Sequence, residues 1–196
     1  MTYDGRTALI VVDVQNDFAH PEGSLFVHEG DEIIATINEH IGAAAAAGAL
    51  IVYSQDWHPS TTPHFEKDGG TWPVHGVAET WGAQLHDDLA VHDDATFIKK
   101  GSNGEDGYSA FSMRDPHNPG AVTSTGLDEV LAERGIERVV VVGLATDYCV
   151  KETALDSARL GYETTVLDEA VRAVNLEPGD DEAAMAVMVA SGVRIA

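Results

Sequence analysis

The sequence contains a single cysteine, Cys149, and no long apolar run. One cysteine excludes a disulfide framework within the chain and favours a reducing compartment. No apolar run approaches the ~20 residues that a membrane-spanning helix requires. The first residues lead directly into a strand-like segment, so we expect no secretory signal and a cytoplasmic location.

Positive charge is also scarce, with 11 Lys and Arg against 33 Asp and Glu and a formal net charge of −22. Such a surface repels nucleic acid and anionic lipid, so we expect neither nucleic acid nor a membrane as a partner. Four residues are lysine, and the acidic excess is spread along the chain. Two interpretations stay open: an ordinary solvated acidic surface, and adaptation to a salty cytoplasm.

The order of predicted elements indicates an α/β fold in one domain, residues 1–196. Residues 8–14 form a continuous apolar run typical of a buried parallel strand, and isoleucines at helical spacing predict a helix over 31–47. Further strands are predicted to end at Asp56 and to span 96–99, 138–143, 163–167 and 193–195. Further helices are predicted over 125–135, 148–161 and 180–191. Irregular segments cover 57–95 and the stretch that ends near residue 122.

Strands that alternate with helices predict a three-layer α/β/α domain with a mostly parallel, roughly six-stranded sheet. In such a sheet the ligand lies beyond the carboxyl ends of the strands. Polar residues at those ends are therefore the first candidates for function.

Three polar residues occur where predicted strands end: Asp13, Lys100 and Cys149. Each has an ordinary explanation when taken alone, since a lone cysteine usually behaves as a small hydrophobe. Together they complement each other, because an ammonium and a helix N-terminus would lower the thiol pKa. A carboxylate can take the thiol proton and return it to a leaving amine, while free backbone N–H groups form an oxyanion hole. The pattern predicts acyl transfer.

A second polar group begins with D-W-H-P at residues 56–59. Asp56 and His58 are two apart in an extended segment, so their side chains point the same way. His64 and His75 can return from the following loop to complete a site. One carboxylate and three imidazoles suit zinc, iron or manganese, although nine histidines can also cluster by chance. The other six have no comparable spacing and stay unassigned: His20, His28, His40, His86, His92 and His117.

Six segments follow one another over roughly three-quarters of the chain. They are D-V-Q-N-D-F at 13–18, D-W-H at 56–58 with His64, W-P-V-H at 72–75, K-G at 100–101, Y-S-A-F at 108–111 and G-L-A-T-D-Y-C-V at 143–150. In this order they resemble the isochorismatase-like cysteine hydrolases, and within them the nicotinamidase/pyrazinamidase branch. The resemblance implies an isochorismatase-like fold. It also implies a catalytic triad of Asp13, Lys100 and Cys149, and one divalent transition metal bound by Asp56, His58, His64 and His75.

The resemblance implies further features of the site. It predicts a cis peptide between Leu144 and Ala145, and an oxyanion hole formed by the backbone N–H groups of Ala145 and Cys149. It also predicts an aromatic substrate pocket, for which ordinary core packing of the rings is the alternative. The residues of that pocket are Phe18, Trp72 and Tyr108.

The activity implied by the resemblance is hydrolysis of nicotinamide to nicotinate and ammonia through a Cys149 thioester, as in NAD salvage. The metal would coordinate the pyridine nitrogen, pyrazinamide would be a further substrate, and assembly into a homo-oligomer stays open. One alternative is a carbamoyl or ureido amidohydrolase with the same triad, against which the metal residues argue. A catalytically silent metal-binding homologue is disfavoured by the complete triad, and isochorismate hydrolysis by the nucleophilic cysteine.

Overall fold

A sheet of six parallel strands forms the centre of the computed structural model, which describes residues 1–118 and 120–196 with their side chains. Together with a two-stranded hairpin outside this sheet, the described strands are β1 (Thr7–Val12), β2 (Leu50–Asp56), β3 (Thr96–Lys100), β4 (Ser112–Asp115), β5 (Asn118–Ser124), β6 (Arg138–Leu144), β7 (Glu163–Arg172) and β8 (Arg194–Ile195). The main sheet has the order β3-β2-β1-β6-β7-β8, and β4 pairs with β5 in a separate antiparallel hairpin. The predicted mostly parallel, six-stranded sheet is confirmed.

Helices cover both faces of the sheet. They are α1 (Asn16–Ala19), α2 (Ile34–Ala46), α3 (Leu127–Glu133), α4 (Lys151–Leu160) and α5 (Asp180–Ala190). Alternate side chains of β1 enter two cores: Leu9 packs in the one that contains the isoleucines of α2, and Ile10 in the one that contains Leu127 of α3. Because both faces are covered, all six residues of β1 are buried, which explains its continuous apolar run.

Two segments differ most from the sequence-based prediction, whereas the segment 57–95 agrees with it. The stretch before residue 122 is not wholly irregular, because β4 and β5 pair there. Strand β7 continues to Arg172 rather than ending at 167, since it pairs with β6 again beyond a register shift. The segment 57–95 is irregular apart from two short 3-10 turns. In the part of the chain that the structure describes, no helix is long and apolar enough to cross a membrane.

The carboxyl ends of β1 and β6 mark the point where the strand order reverses, and ligands of open α/β sheets bind at such points. Gly143 lets these two strands approach each other. A Cβ at this position would lie 2.1 Å from the carbonyl oxygen of Val12, and the φ of Gly143 is +111°. A glycine is therefore required next to the segment that carries Cys149.

Candidate active site

Asp13 directly follows β1 and is almost completely buried. Its Oδ1 accepts a hydrogen bond from Ser54 Oγ at 2.7 Å, and its Oδ2 accepts one from Lys100 Nζ at 2.8 Å. Burial raises the pKa of this carboxyl above its ordinary value, although the nearby ammonium opposes the shift. A raised pKa makes the Asp13 carboxylate a stronger base than an exposed one.

Lys100 is the last residue of β3 and pairs in register with Asp56 of β2. Its side chain is completely buried, and Nζ lies 2.8 Å from Asp13 Oδ2, 2.6 Å from Asp56 Oδ1 and 3.6 Å from Cys149 Sγ. Burial alone would lower the pKa of Lys100, but the two carboxylates raise it well above its ordinary value. Lys100 is therefore a fixed positive charge at the site.

Cys149 lies in the turn Thr146–Val150 that connects β6 to α4, and its Sγ is within 4.8 Å of carboxylate oxygens of Asp13 and Asp56. Burial raises the pKa of the thiol well above its usual value; Lys100 opposes this shift and the two carboxylates add to it. The expectation that this pKa is lowered is therefore wrong. Lys100 acts in the expected direction, but burial outweighs it, so the sulfur keeps its proton until a base takes it.

The peptide bond between Leu144 and Ala145 is cis, which confirms the prediction from the resemblance. Ala145 lines the same pocket as Cys149, and its carbonyl oxygen accepts hydrogen bonds from the backbone N–H groups of Tyr148 and Val150. The two residues of the predicted oxyanion hole are thus neighbours. Their backbone role stays a prediction.

The four predicted metal ligands come together at one place. One nitrogen each of His58, His64 and His75 lies within 4.8 Å of the others. Oδ2 of Asp56 lies 3.7 Å from Nε2 of His58 and 3.6 Å from Nε2 of His75. All four side chains are buried. Burial would raise the pKa of Asp56, but Lys100 and the neighbouring histidines hold it well below its ordinary value.

His58 provides a structural test of the metal site. Both of its ring nitrogens are buried, and neither has a hydrogen-bond partner among residues 1–118 and 120–196. Leaving a buried polar atom without a partner costs about 1–3 kcal/mol, so such atoms call for an explanation. Three buried imidazoles and a carboxylate match the ligands that a divalent transition metal prefers, and the residues therefore fit one.

The structure explains why Lys100 is followed by a glycine, Gly101. Its φ is +76°, and a Cβ there would lie 2.4 Å from Nδ1 of His58. Any side chain at this position would displace the His58 ring. The backbone after Lys100 thus lies against His58, one of the predicted metal ligands.

The predicted aromatic residues line one pocket together with Asp13 and Cys149. Nε1 of Trp72 donates a hydrogen bond to the hydroxyl of Tyr108 at 3.0 Å, and the ring of Phe18 lies 5.4 Å from that of His75. The pocket wall carries all three predicted rings, Phe18, Trp72 and Tyr108. They therefore surround the site rather than pack only in the core, while their role in binding stays a prediction.

Sequence reasoning missed part of the pocket wall. Tyr148 stacks edge-on against Trp72 with 4.9 Å between ring centroids. Its place directly before Cys149 was an available signal. The remaining missed residues are apolar and carry no distinctive pattern in the sequence: Leu25, Val27, Leu144 and Val174.

Sequence reasoning also missed two buried residues that hold the site in place. The side-chain amide of Gln15 makes two hydrogen bonds with the backbone of Asp56. It accepts one from the N–H at 2.7 Å and donates one to the carbonyl oxygen at 2.8 Å. The carboxylate of Asp17 accepts a hydrogen bond at 2.8 Å from the N–H of Gly76, the residue after His75. It accepts another at 3.1 Å from the N–H of Ser24. Both belong to segment 13–18, which therefore also positions two of the predicted metal ligands, Asp56 and His75.

Known proteins resemble this chain over nearly its whole length. The model of the Isochorismatase domain family matches residues 7–196. A nicotinamidase of Escherichia coli (strain K12) is 37% identical over 204 residues, which is 96% of this chain and 93% of the relative. The structure of a pyrazinamidase of Pyrococcus horikoshii in complex with zinc has 38% identity and a TM-score of 0.86, covering 97% and 98% of the two chains. PnC1 from L. infantum in complex with nicotinate has 34% identity and a TM-score of 0.88, covering 100% and 95%.

Proposed function

Because this chain belongs to the isochorismatase family, we propose that it is a metal-containing cysteine amidohydrolase that converts nicotinamide and water to nicotinate and ammonia. The observation that carries the proposal is the contact of Lys100 with Asp13, Asp56 and Cys149. This contact joins a nucleophile and its base to a buried metal site. The relatives named for nicotinamide and pyrazinamide hydrolysis support the choice of substrate.

The pocket suits a small flat ring that carries a carboxamide. Aromatic side chains form much of its wall, and Cys149, His64 and His75 line it as well. A divalent ion held by Asp56, His58, His64 and His75 would coordinate the ring nitrogen and so orient the amide. Such positioning contributes several kcal/mol to catalysis, because the amide carbon is held within reach of the sulfur.

The proposed reaction begins with transfer of the thiol proton of Cys149 to Asp13. The sulfur attacks the amide carbon, and the backbone N–H groups of Ala145 and Cys149 stabilise the negative charge on the oxygen. Asp13 then gives its proton to the departing ammonia, which leaves a thioester on Cys149. Asp13 next takes a proton from a water molecule, whose oxygen attacks the thioester carbon. The C–S bond breaks, Asp13 returns its proton to the sulfur, and the acid leaves as nicotinate with its proton lost to solvent. Lys100 offsets the charge of Asp13 whenever that carboxyl is ionised.

The finer assignments remain proposals. We propose zinc, iron or manganese as the metal, with zinc supported by the complex of the Pyrococcus horikoshii relative. Pyrazinamide is proposed as a second substrate, because it retains both the ring nitrogen and the carboxamide. Action in NAD salvage in the cytoplasm is part of the same proposal.

The test is ammonia release from nicotinamide and from benzamide, which has the same amide but no ring nitrogen. Nicotinamide should be hydrolysed, chelation should abolish turnover, and kcat/KM for benzamide should be at least ~100-fold lower. His58→Ala should lose the metal and most of the activity, whereas His117→Ala, at an exposed histidine, should retain both. Equal turnover of the two amides would refute recognition of the ring nitrogen. A chain that releases no ammonia from either amide would favour the silent homologue.

A further inference from the structure

Asp106 contacts one of the metal-site histidines from outside the set of predicted ligands. Its Oδ1 lies 2.7 Å from Nδ1 of His64. An ionised carboxylate can only accept hydrogen bonds, so Nδ1 of His64 carries the hydrogen and donates it. The lone pair of the neutral ring is then on Nε2, which leaves this atom for the metal.

The three imidazoles differ in how they are held. Nδ1 of His75 donates to the carbonyl oxygen of Pro73 at 2.7 Å, and the nitrogens of His58 have no hydrogen-bond partner in the described part of the chain. Among these three residues, His64 is thus the one whose ring is hydrogen-bonded to a charged side chain. The ring of His64 is 5% exposed, whereas the Asp106 side chain is 45% exposed. The carboxylate therefore reaches the buried ring from the protein surface.

The backbone holds the Asp106 carboxylate in place. Oδ1 also accepts a hydrogen bond from the N–H of Gly107 at 2.9 Å. The N–H of Asp106 donates to the carbonyl oxygen of Arg114 at 2.8 Å, and Arg114 in β4 donates back to Asp106. The backbone of Asp106 is thus held by β4, and its carboxylate is held by the N–H of Gly107 where it contacts the His64 ring.

We infer that Asp106 is a positioning residue that orients His64 and makes its Nε2 a stronger ligand for the metal. This inference depends on the proposed metal site. A carboxylate bonded to a metal-binding imidazole fixes the ring and its tautomer, and loss of such a partner typically weakens metal binding ~10–100-fold. Asp106 itself is not a ligand in this proposal, and it does not touch the substrate.

The test measures Zn²⁺ affinity by competition with a chelator in the wild-type chain and in Asp106→Ala and Asp106→Asn. Asp106→Ala should bind Zn²⁺ ~10–100-fold more weakly. Asp106→Asn should lie between, because its amide can still accept from Nδ1 but has no charge. In Co²⁺-loaded protein both variants should shift the visible absorption bands. Saturating Zn²⁺ should restore most of the activity, as expected for a defect in metal affinity.

Glu105→Gln is the matched control, because it removes the same charge one residue earlier, where the carboxylate bonds Asn103. It should leave Zn²⁺ affinity unchanged, and the metal-free melting temperatures of all variants should match that of wild type. Equal Zn²⁺ affinity in wild type, Asp106→Ala and Asp106→Asn would overturn the role of Asp106 and leave the proposed metal site standing. An equal loss in Glu105→Gln would replace that role with a general charge effect. A wild-type chain that binds no Zn²⁺ or Co²⁺ would overturn the metal site itself.

Discussion

Lys100 lies as close to Asp56 as to Asp13, with Nζ 2.6 Å from Oδ1 of the first and 2.8 Å from Oδ2 of the second. Asp56 uses its other oxygen, Oδ2, to face His58 and His75. One ammonium therefore pairs with both the proposed base and the carboxylate of the predicted metal site. Since all three groups are buried, a change at any of them alters the electrostatics of the other two.

The first prediction concerns the unit formed by Asp13 and Lys100. Asp13→Asn and Lys100→Ala should each lower kcat/KM for nicotinamide by at least ~100-fold, because each removes part of the proton-transfer machinery. The double variant should be little worse than either single variant, since residues that act as one unit are not additive. Steady-state ammonia release with the metal saturated measures all three.

Lys99→Ala is the control for this series. Lys99 is on the same strand, but it is exposed and its Nζ lies over the ring of Trp57 at 3.4 Å from the centroid. Its loss should leave kcat/KM close to that of wild type. If the losses of the Asp13 and Lys100 variants multiply in the double variant, the two residues work independently and the shared role of Lys100 is wrong.

The second prediction separates the nucleophile from the metal. Cys149→Ala should abolish turnover and keep the metal content of wild type, because the thiol is not one of the four predicted ligands. Cys149→Ser should also be nearly inactive, since an alcohol is much harder to ionise than a thiol. Ammonia release and the metal content of purified protein are the measurements. Retention of more than a few per cent of the activity in Cys149→Ala would contradict the thioester.

The third prediction follows from the raised pKa of Cys149. A raised pKa means that the thiolate form, which reacts with iodoacetamide, appears only at higher pH than in the unfolded chain. Alkylation followed by mass spectrometry between about pH 6 and 10 reports on this residue alone, because the chain has one cysteine. Asp13→Asn should move the midpoint to lower pH, because it removes a negative charge that raises the pKa. A folded midpoint at or below that of the chain in denaturant would contradict the prediction.

The fourth prediction compares two glycines. Gly143→Ala should destabilise the fold by about 3 kcal/mol or more, because its Cβ would meet the backbone of Val12 and its φ is +111°. Gly42→Ala, within α2, should be neutral or should stabilise by up to ~1 kcal/mol, since nothing lies within 4 Å of its Cβ. Urea unfolding of both variants measures the difference. If Gly143→Ala were as stable to urea as Gly42→Ala, β1 and β6 could move apart at Val12 without loss of folding free energy, and the prediction would be wrong.

The order of the elements and the identity of the clustered residues could be predicted from the sequence. Buried parallel strands leave a continuous apolar run, as residues 8–14 do, and strand ends bring Asp13 and Cys149 to the same edge. The β4–β5 hairpin could not be predicted, because residues 112–124 show no alternation of apolar and polar side chains. Its two strands lie outside the main sheet, and none of residues 112–118 and 120–124 is buried, so no buried face imposes a pattern.

The thiol pKa could not be predicted, because it depends on a balance between burial and several charges. The sequence indicates that Lys100 is near Cys149, but not how deeply the sulfur is buried or that Asp56 also faces it. The contacts of Gln15, Asp17 and Asp106 could not be predicted either, for a different reason. Each joins positions far apart in the chain through one specific hydrogen bond, which leaves no periodic pattern in the sequence.

The fifth prediction concerns salt. The chain carries a formal net charge of −22, and mutual repulsion of the acidic side chains destabilises the folded state. That repulsion acts over ~30 Å at about 0.01 M salt but only over ~3 Å at about 1 M, so the melting temperature should rise between these conditions. Screening also weakens exposed ion pairs such as Lys67–Asp68, but 11 cations cannot pair 33 anions, so repulsion should dominate. Sucrose of matched osmolality is the control for solute exclusion, and it should raise the melting temperature less than potassium chloride does. A melting temperature that does not change with salt would favour an ordinary solvated acidic surface over adaptation to a salty interior.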